Sequence, residues 1–316
     1  MAETTNIEWA DRTWSPWIGC TKISPACDGC YAEHLMDTRM GRVEWGPHGE
    51  RSRTSVGYWR KPLAWDREAK AAGKTISVFP SLCDPFDNRA DPAVRRDWFD
   101  LIRATPNLTW LLLTKRPQNA IEMAEAAGGL PGNVALGATC EDQKRTNKNV
   151  PALLVAKHTL GAKIAFLSCE PLLGPIDLTS ISTMWFRGAE VLNGLTGELS
   201  GMFGDPCGTR LPGLDWIITG GETDQGQHKA RPTNPEWFRS LRDQCATASV
   251  PYLHKQNGEW VSVSEVEGPG EIFTFPDGRS VRRVGKRKAG RTIDGVTHDG
   301  FPASHPAPSE IEGGRP

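Results

Sequence analysis

Short apolar runs recur along the chain, most of them followed by a polar, Gly- or Pro-containing turn and then by a stretch with helical spacing. Ile76, Val78 and Phe79 mark a strand over 75–79, and 108–113 reads as a buried strand. Further strands are expected at 133–137, 163–167, 214–219 and 250–254, with one more near Thr13. Between them the pattern predicts helices. Asp91 caps one that starts at Pro92 and runs to about Ala104, and Asn234 caps another that starts at Pro235 and runs to about Thr247. The remaining two span about 119–127 and 143–156. Strands alternating with helices predict an α/β fold with parallel strands, as a full or partial (β/α) barrel; a doubly wound open sheet is the alternative. Residues 185–213 are Gly-rich and read as an irregular insertion that contains Cys207. The barrel domain is expected over 1–260. The C-terminal part, 261–316, carries a hairpin signal at Phe275-Pro276-Asp277-Gly278-Arg279, and poor order is expected beyond 304.

Composition narrows the function classes. The 316 residues suffice for one large α/β domain or two modest ones, and 38% hydrophobic content supplies a core. No apolar run is long enough for a bilayer span, and the start of the chain is polar, so a cytoplasmic protein with no membrane partner is expected. Its eight cysteines are then thiols or metal ligands rather than disulfides. A net charge of −1 does not favour global nucleic-acid binding. The basic run of Arg282, Arg283, Lys286, Arg287 and Lys288 reads as a phosphate-holding segment or as solvated surface. Of twelve tryptophans, Trp9, Trp14 and Trp17 flank the first cysteines and are expected to shield them.

Those cysteines are the densest chemical signal. Cys20, Cys27 and Cys30 are separated by six and then two residues, with Pro25 in the turn. A closed zinc site takes four protein ligands. A 4Fe-4S cluster held by three thiolates leaves one iron open to a small molecule. Both readings stand, zinc with a fourth ligand such as Cys83 or His34, as does a third in which the cysteines are simply buried.

The polar ends of the strands add a rim. Ser81, Cys83 and Asp84 follow the second strand, Lys115 and Arg116 the third, Cys140 and Glu141 the fourth. Cys169 and Glu170 follow the fifth, Glu222 the sixth and Lys255 the last. Function in parallel β/α folds collects at this end; the alternative is ordinary capping acids and, for Cys83, Cys140 and Cys169, small buried hydrophobes. Cluster and rim together fit S-adenosylmethionine chemistry: the cofactor chelates the open iron, and one-electron reduction cleaves its C–S bond to give a 5′-deoxyadenosyl radical. Lys115, Arg116 and Arg231 suit anionic groups. A metal-independent hydrolase using the rim carboxylates is a weaker alternative.

Several stretches resemble a known family. They are Ile7-Glu8-Trp9, Gly19-Cys20-Thr21-Lys22-Ile23-Ser24-Pro25, Cys27-Asp28-Gly29-Cys30-Tyr31, Leu113-Thr114-Lys115-Arg116-Pro117, Ser168-Cys169-Glu170-Pro171, Gly220-Gly221-Glu222 and Lys255-Gln256. The chain is similar to the three-Cys-motif phage proteins of unknown function, which resemble the radical S-adenosylmethionine superfamily. The usual superfamily spacing is three residues and then two, against six and two here. The resemblance implies a 4Fe-4S cluster on Cys20, Cys27 and Cys30. It implies cofactor contacts from Tyr31, Ser81, Asp84, Lys115, Arg116, Glu141 and Glu170, and catalytic positions at Glu222, Arg231 and Lys255. It further implies S-adenosylmethionine, an electron donor, a nucleotide or nucleic-acid substrate in a phage or prophage setting, and a three-Cys-motif partner protein.

Overall fold

The computed structural model describes Thr5 and residues 7–184, 190–201 and 206–303, leaving aside the side chains of 206–209. The tail beyond 304 and the Cys207 side chain lie outside the described residues. Seven strands form one parallel sheet: β1 (Arg12–Thr13), β2 (Ile76–Phe79), β3 (Leu108–Thr114), β4 (Val134–Thr139), β5 (Ile164–Cys169), β6 (Trp216–Gly220) and β7 (Tyr252–Gln256). Their order in the sheet follows the chain without reversal, and every pairing is parallel. A doubly wound sheet needs a reversal of strand order, so the architecture is the partial barrel, curled and open, with β1 and β7 at its two edges.

Five helices cover the convex side: α1 (Lys61–Ala72), α2 (Pro92–Arg103), α3 (Ala120–Ala126), α4 (Gln143–Leu160) and α5 (Pro235–Ala248). The caps explain where three of them begin. Asp91 accepts from Ala93 N at 2.8 Å, Asp142 from Arg145 N at 2.7 Å, and Asn234 from Glu236 N at 3.0 Å. Gly161 ends α4 in the left-handed region at φ +67°. Helix α1 has no sequence-level counterpart above, because its polar run shows only Pro62, Trp65 and Ala69 turned inward.

Two apolar layers result. Between helices and sheet lie Trp98, Phe99, Trp110, Leu153 and Leu154, with Trp14 edge-on to Trp110 at 5.4 Å and Trp17 edge-on to Trp98 at 5.7 Å. The concave side is filled by Trp9, Leu111, Phe166, Trp216 and Leu253. Gly137 makes room for Phe166: a Cβ there would sit 2.3 Å from the ring. Trp9, Trp14 and Trp17 are therefore core residues.

The segment expected to be irregular is instead built around an antiparallel sheet of Ile181–Thr183, Glu190–Leu192, Glu198–Gly201 and Pro206–Arg210. Strands of three to five residues leave too little alternation to read. After β7, Trp260–Ser262, Ile272–Thr274 and Ser280–Arg283 form a three-stranded sheet, and the expected hairpin turn joins its last two strands. The chain then returns to the barrel: Asp299 bridges to Leu253, His254 N donates to His298 O, and Phe301 packs on Trp216 at 5.2 Å. No helix among the described residues is long and apolar enough to cross a membrane.

Candidate functional site

The loop after β1 crosses the C-terminal edge of the sheet. Gly19 N donates to Leu82 O at 3.1 Å, and its φ of +122° suits glycine, so the chain turns there to present Cys20. Cys27 ends a short 3₁₀ turn, Pro25–Cys27, and Cys30 precedes the helical turn Tyr31–Glu33. The three sulfur residues line one open cavity of about 130 Å³. Cys83, Ser81, Asp84, Lys115, Thr139 and Trp45 also line it.

Two of the three thiols have polar company. Arg116 Nη1 lies 3.6 Å from Cys20 Sγ, and the Ser24 hydroxyl 3.8 Å from Cys27 Sγ. Burial pushes Cys20 up to about 12, reinforced by Asp84 and opposed by Arg116. Burial also raises Cys30, opposed in part by the charge of Lys115. Cys83 is pushed well above the ordinary thiol value, again by burial first and Asp84 second. Raised thiols are poor nucleophiles at neutral pH, whereas a metal would deprotonate them. Among the described residues no hydrogen bond or ion pair engages Lys115 Nζ. Burial acts to lower its pKa, but Cys27, Cys30, Asp84 and Cys20 outweigh burial and hold it above the usual lysine value.

The remaining rim residues divide by what they touch. Asp84 accepts from Thr114 Oγ1 at 2.6 Å, Arg116 Nη1 at 2.9 Å, Phe86 N at 3.0 Å and Lys115 N at 3.1 Å. Arg116 Nη2 donates to the Thr21 carbonyl at 2.9 Å. Arg231 donates from Nε to Glu222 Oε2 at 2.8 Å, from Nη2 to the Pro25 carbonyl at 2.9 Å and from Nη1 to Asp28 at 3.1 Å. His228 reaches the same Glu222 at 3.0 Å, packed so closely that a Cβ on Gly29 would sit 2.7 Å from its ring. Burial pushes the Glu222 carboxyl up, but the Arg231 hydrogen bonds and charge prevail and hold it below its ordinary value. Glu141 is 1% exposed; its Oε1 lies 3.5 Å from Ala26 N, and its Oε2 is buried without a hydrogen bond.

Glu170 and Lys255 stand apart from this loop. They pair at 3.2 Å, with Ser168 Oγ 3.3 Å from the other carboxylate oxygen. Gly220 leaves them room, since a Cβ there would sit 2.7 Å from Glu170 Oε1.

The sequence-predicted residues therefore fall into groups. Cys20, Cys27, Cys30, Ser81, Asp84 and Lys115 share the cavity. Arg116, Glu141, Glu222 and Arg231 touch the cysteine loop. Tyr31 is 57% exposed and outside the cavity lining. Cys140, Cys169 and Cys245 are buried in the outer core as small hydrophobes.

A model of the family described as a protein of unknown function, DUF5131, matches residues 4–302. The chain belongs to that family. No curated protein and no solved structure matches it. In this DUF5131 member, sequence reasoning missed a buried pair that braces the cysteine loop. Arg51 Nε donates to Asp87 at 2.6 Å and Nη2 to Thr21 Oγ1 at 2.6 Å, while Nη1 bonds the Gly49 and Gly46 carbonyls. Asp87 and Thr139 carry the strand-end signal, but Arg51 sits in a polar stretch with no periodic pattern.

Proposed function

We propose that Cys20, Cys27 and Cys30 hold a 4Fe-4S cluster and that the protein is a radical S-adenosylmethionine enzyme. The observation that carries this reading is the cavity: three thiols line it, polar groups meet two of their sulfurs, and an ammonium unpaired among the described residues stands with them. Three thiolates on a 4Fe-4S cluster leave net negative charge, which Lys115 would offset, and N–H···S contacts favour bound thiolate. When bound, the reduced cluster supplies the electron for reductive C–S cleavage of S-adenosylmethionine.

The chain's own residues then have separable tasks. Lys115 and Ser81 face the cavity and would receive the cofactor's carboxylate and amino groups. Glu222 and Arg231 are committed to each other and to the cysteine loop, so their part is to position it. Lys255 and Glu170 would meet substrate. A nucleotide or nucleic-acid base as substrate, an electron donor and a three-Cys-motif partner protein belong to the same proposal, carried by the resemblance alone.

A second reading is a closed four-thiolate zinc site, favoured by Cys83 in the same lining. Among the described residues no group of three or more His, Cys, Asp or Glu side chains is placed to hold a metal ion as it stands. This bears on zinc and cluster alike, so metal analysis decides between them. Anaerobic purification with iron and acid-labile sulfide analysis separates the two. About four irons per chain, with 5′-deoxyadenosine formed on dithionite reduction and lost in Cys27→Ala, supports the cluster. One zinc without sulfide overturns it.

A further inference from the structure

The three sulfurs are not equivalent. Cys27 meets a neutral hydroxyl and the Cys30 side chain makes no capping hydrogen bond to its helical turn, but Cys20 meets a guanidinium. That guanidinium is not free to swing. Asp84 Oδ2 holds Nη1 at 2.9 Å and the Thr21 carbonyl holds Nη2 at 2.9 Å. Asp84 is fixed in turn by the Thr114 hydroxyl and by the Phe86 and Lys115 backbone N–H groups. Thr114 Oγ1 also accepts from Arg116 N at 2.9 Å, which sets the backbone at the root of the side chain. Both terminal nitrogens of Arg116 are thus engaged by the protein. The expectation that Arg116 and Asp84 grip a ligand's charged groups is replaced by a different role.

We infer that Arg116, clamped by Asp84, is a positioning residue for Cys20, aiming a charge-assisted N–H···S hydrogen bond at that one sulfur and making the group bound there easier to reduce. The inference rests on the cluster reading above. Its chemistry is general: hydrogen bonds to ligand sulfur withdraw electron density and raise reduction potential, and a charged donor acts about twice as strongly as a neutral one. The asymmetry follows, because Cys20 is the only one of the three whose sulfur faces a cation at hydrogen-bond distance among the described residues. Lys115 lies in the cavity near all three and does not distinguish them in kind.

The test uses the full chain as wild type, Arg116→Gln and Arg116→Lys, each reconstituted anaerobically with iron and sulfide. Iron and sulfide contents are measured first. Midpoint potential follows by EPR-monitored redox titration, and Fe–S(Cys) stretching by resonance Raman. The expected result is a full cluster in all three proteins. Arg116→Gln should have a more negative potential and one shifted Fe–S(Cys) band. Arg116→Lys, which keeps the charge without the planar fork, should recover only part of the shift. Equal potentials in wild type and Arg116→Gln overturn the inference. So does Arg116→Lys matching wild type, since charge alone would then suffice. Loss of the cluster from both variants also overturns it, by assigning Arg116 to assembly. A wild-type protein without iron and sulfide is a separate failure, that of the cluster reading, and removes the inference with it.

Discussion

The two sides of the barrel rim are built on opposite plans. Over β2 and β3, Asp84 and Arg116 are bound to protein groups on several sides, and Arg51 and Asp87 form a buried pair behind them. Over β5 and β7, Glu170 and Lys255 hold only each other and one hydroxyl among the described residues, beside a glycine that leaves space. The first side is a frame that fixes sulfur positions. The second can exchange its ion pair for contacts to an incoming molecule at small cost. A site that must hold a rigid group and also admit a ligand needs both plans, and here different strands supply them.

The comparison breaks first at the buried pair. Arg51 and Asp87 have side chains 2% and 1% exposed. Arg51→Ala leaves a buried carboxylate and is expected to destabilise by about 3–5 kcal/mol, read as a lowered denaturant midpoint. Beneath both sides lies the concave floor, where Gly137→Ala would press on the Phe166 ring. Overpacking there should cost about 1–3 kcal/mol, measured in the same way; an unchanged midpoint would mean that Phe166 moves freely.

Glu222→Gln tests the strut behind the cysteine loop, with an expected loss of about 2 kcal/mol at pH 7. Folding depresses the Glu222 pKa. Its contribution is therefore present above the unfolded carboxylate value, about 4.3, and is lost as pH falls through the lower folded value. The stability gap between wild type and variant should narrow below about pH 4; a gap independent of pH would show that charge has no part. Lys255→Ala is the smallest change. Its pair is mostly buried, with side chains 22% and 12% exposed, so stability should fall by about 1 kcal/mol. A drop in thermal midpoint as large as that of Arg51→Ala would place Lys255 with the frame instead.

Much of this molecule was legible before its structure. Apolar runs such as 108–113 could only be buried strands, and Asp91 and Asn234 announce helices because a side-chain acceptor followed by proline leaves few other conformations. The cysteine spacing located the cavity, and strand-end positions located Ser81, Asp84 and Lys115. What escaped was long-range. Nothing local tells that Arg116 turns back onto Cys20, 96 residues earlier, or that Arg51 reaches Asp87. Trp9, Trp14 and Trp17 adjoin the cysteines in sequence, yet Trp9 packs into the concave layer and the other two into the convex one. Composition alone could not separate a closed barrel from an open one, because closure depends on whether the last strand finds the first.

The half-barrel does not close, and residues 298–301 stand in for part of the missing wall. They pair with Leu253 and His254, accept from the Trp216 indole N–H through Gly300 O, and cover Trp216 with Phe301. A chain clipped ahead of His298 would uncover the outer row of β7 N–H and C=O groups beside newly exposed aromatic surface. Such an edge is a template for strand addition by another molecule. The clipped chain should therefore self-associate and precipitate even where its other strands remain folded, so this returning segment acts as a guard against aggregation.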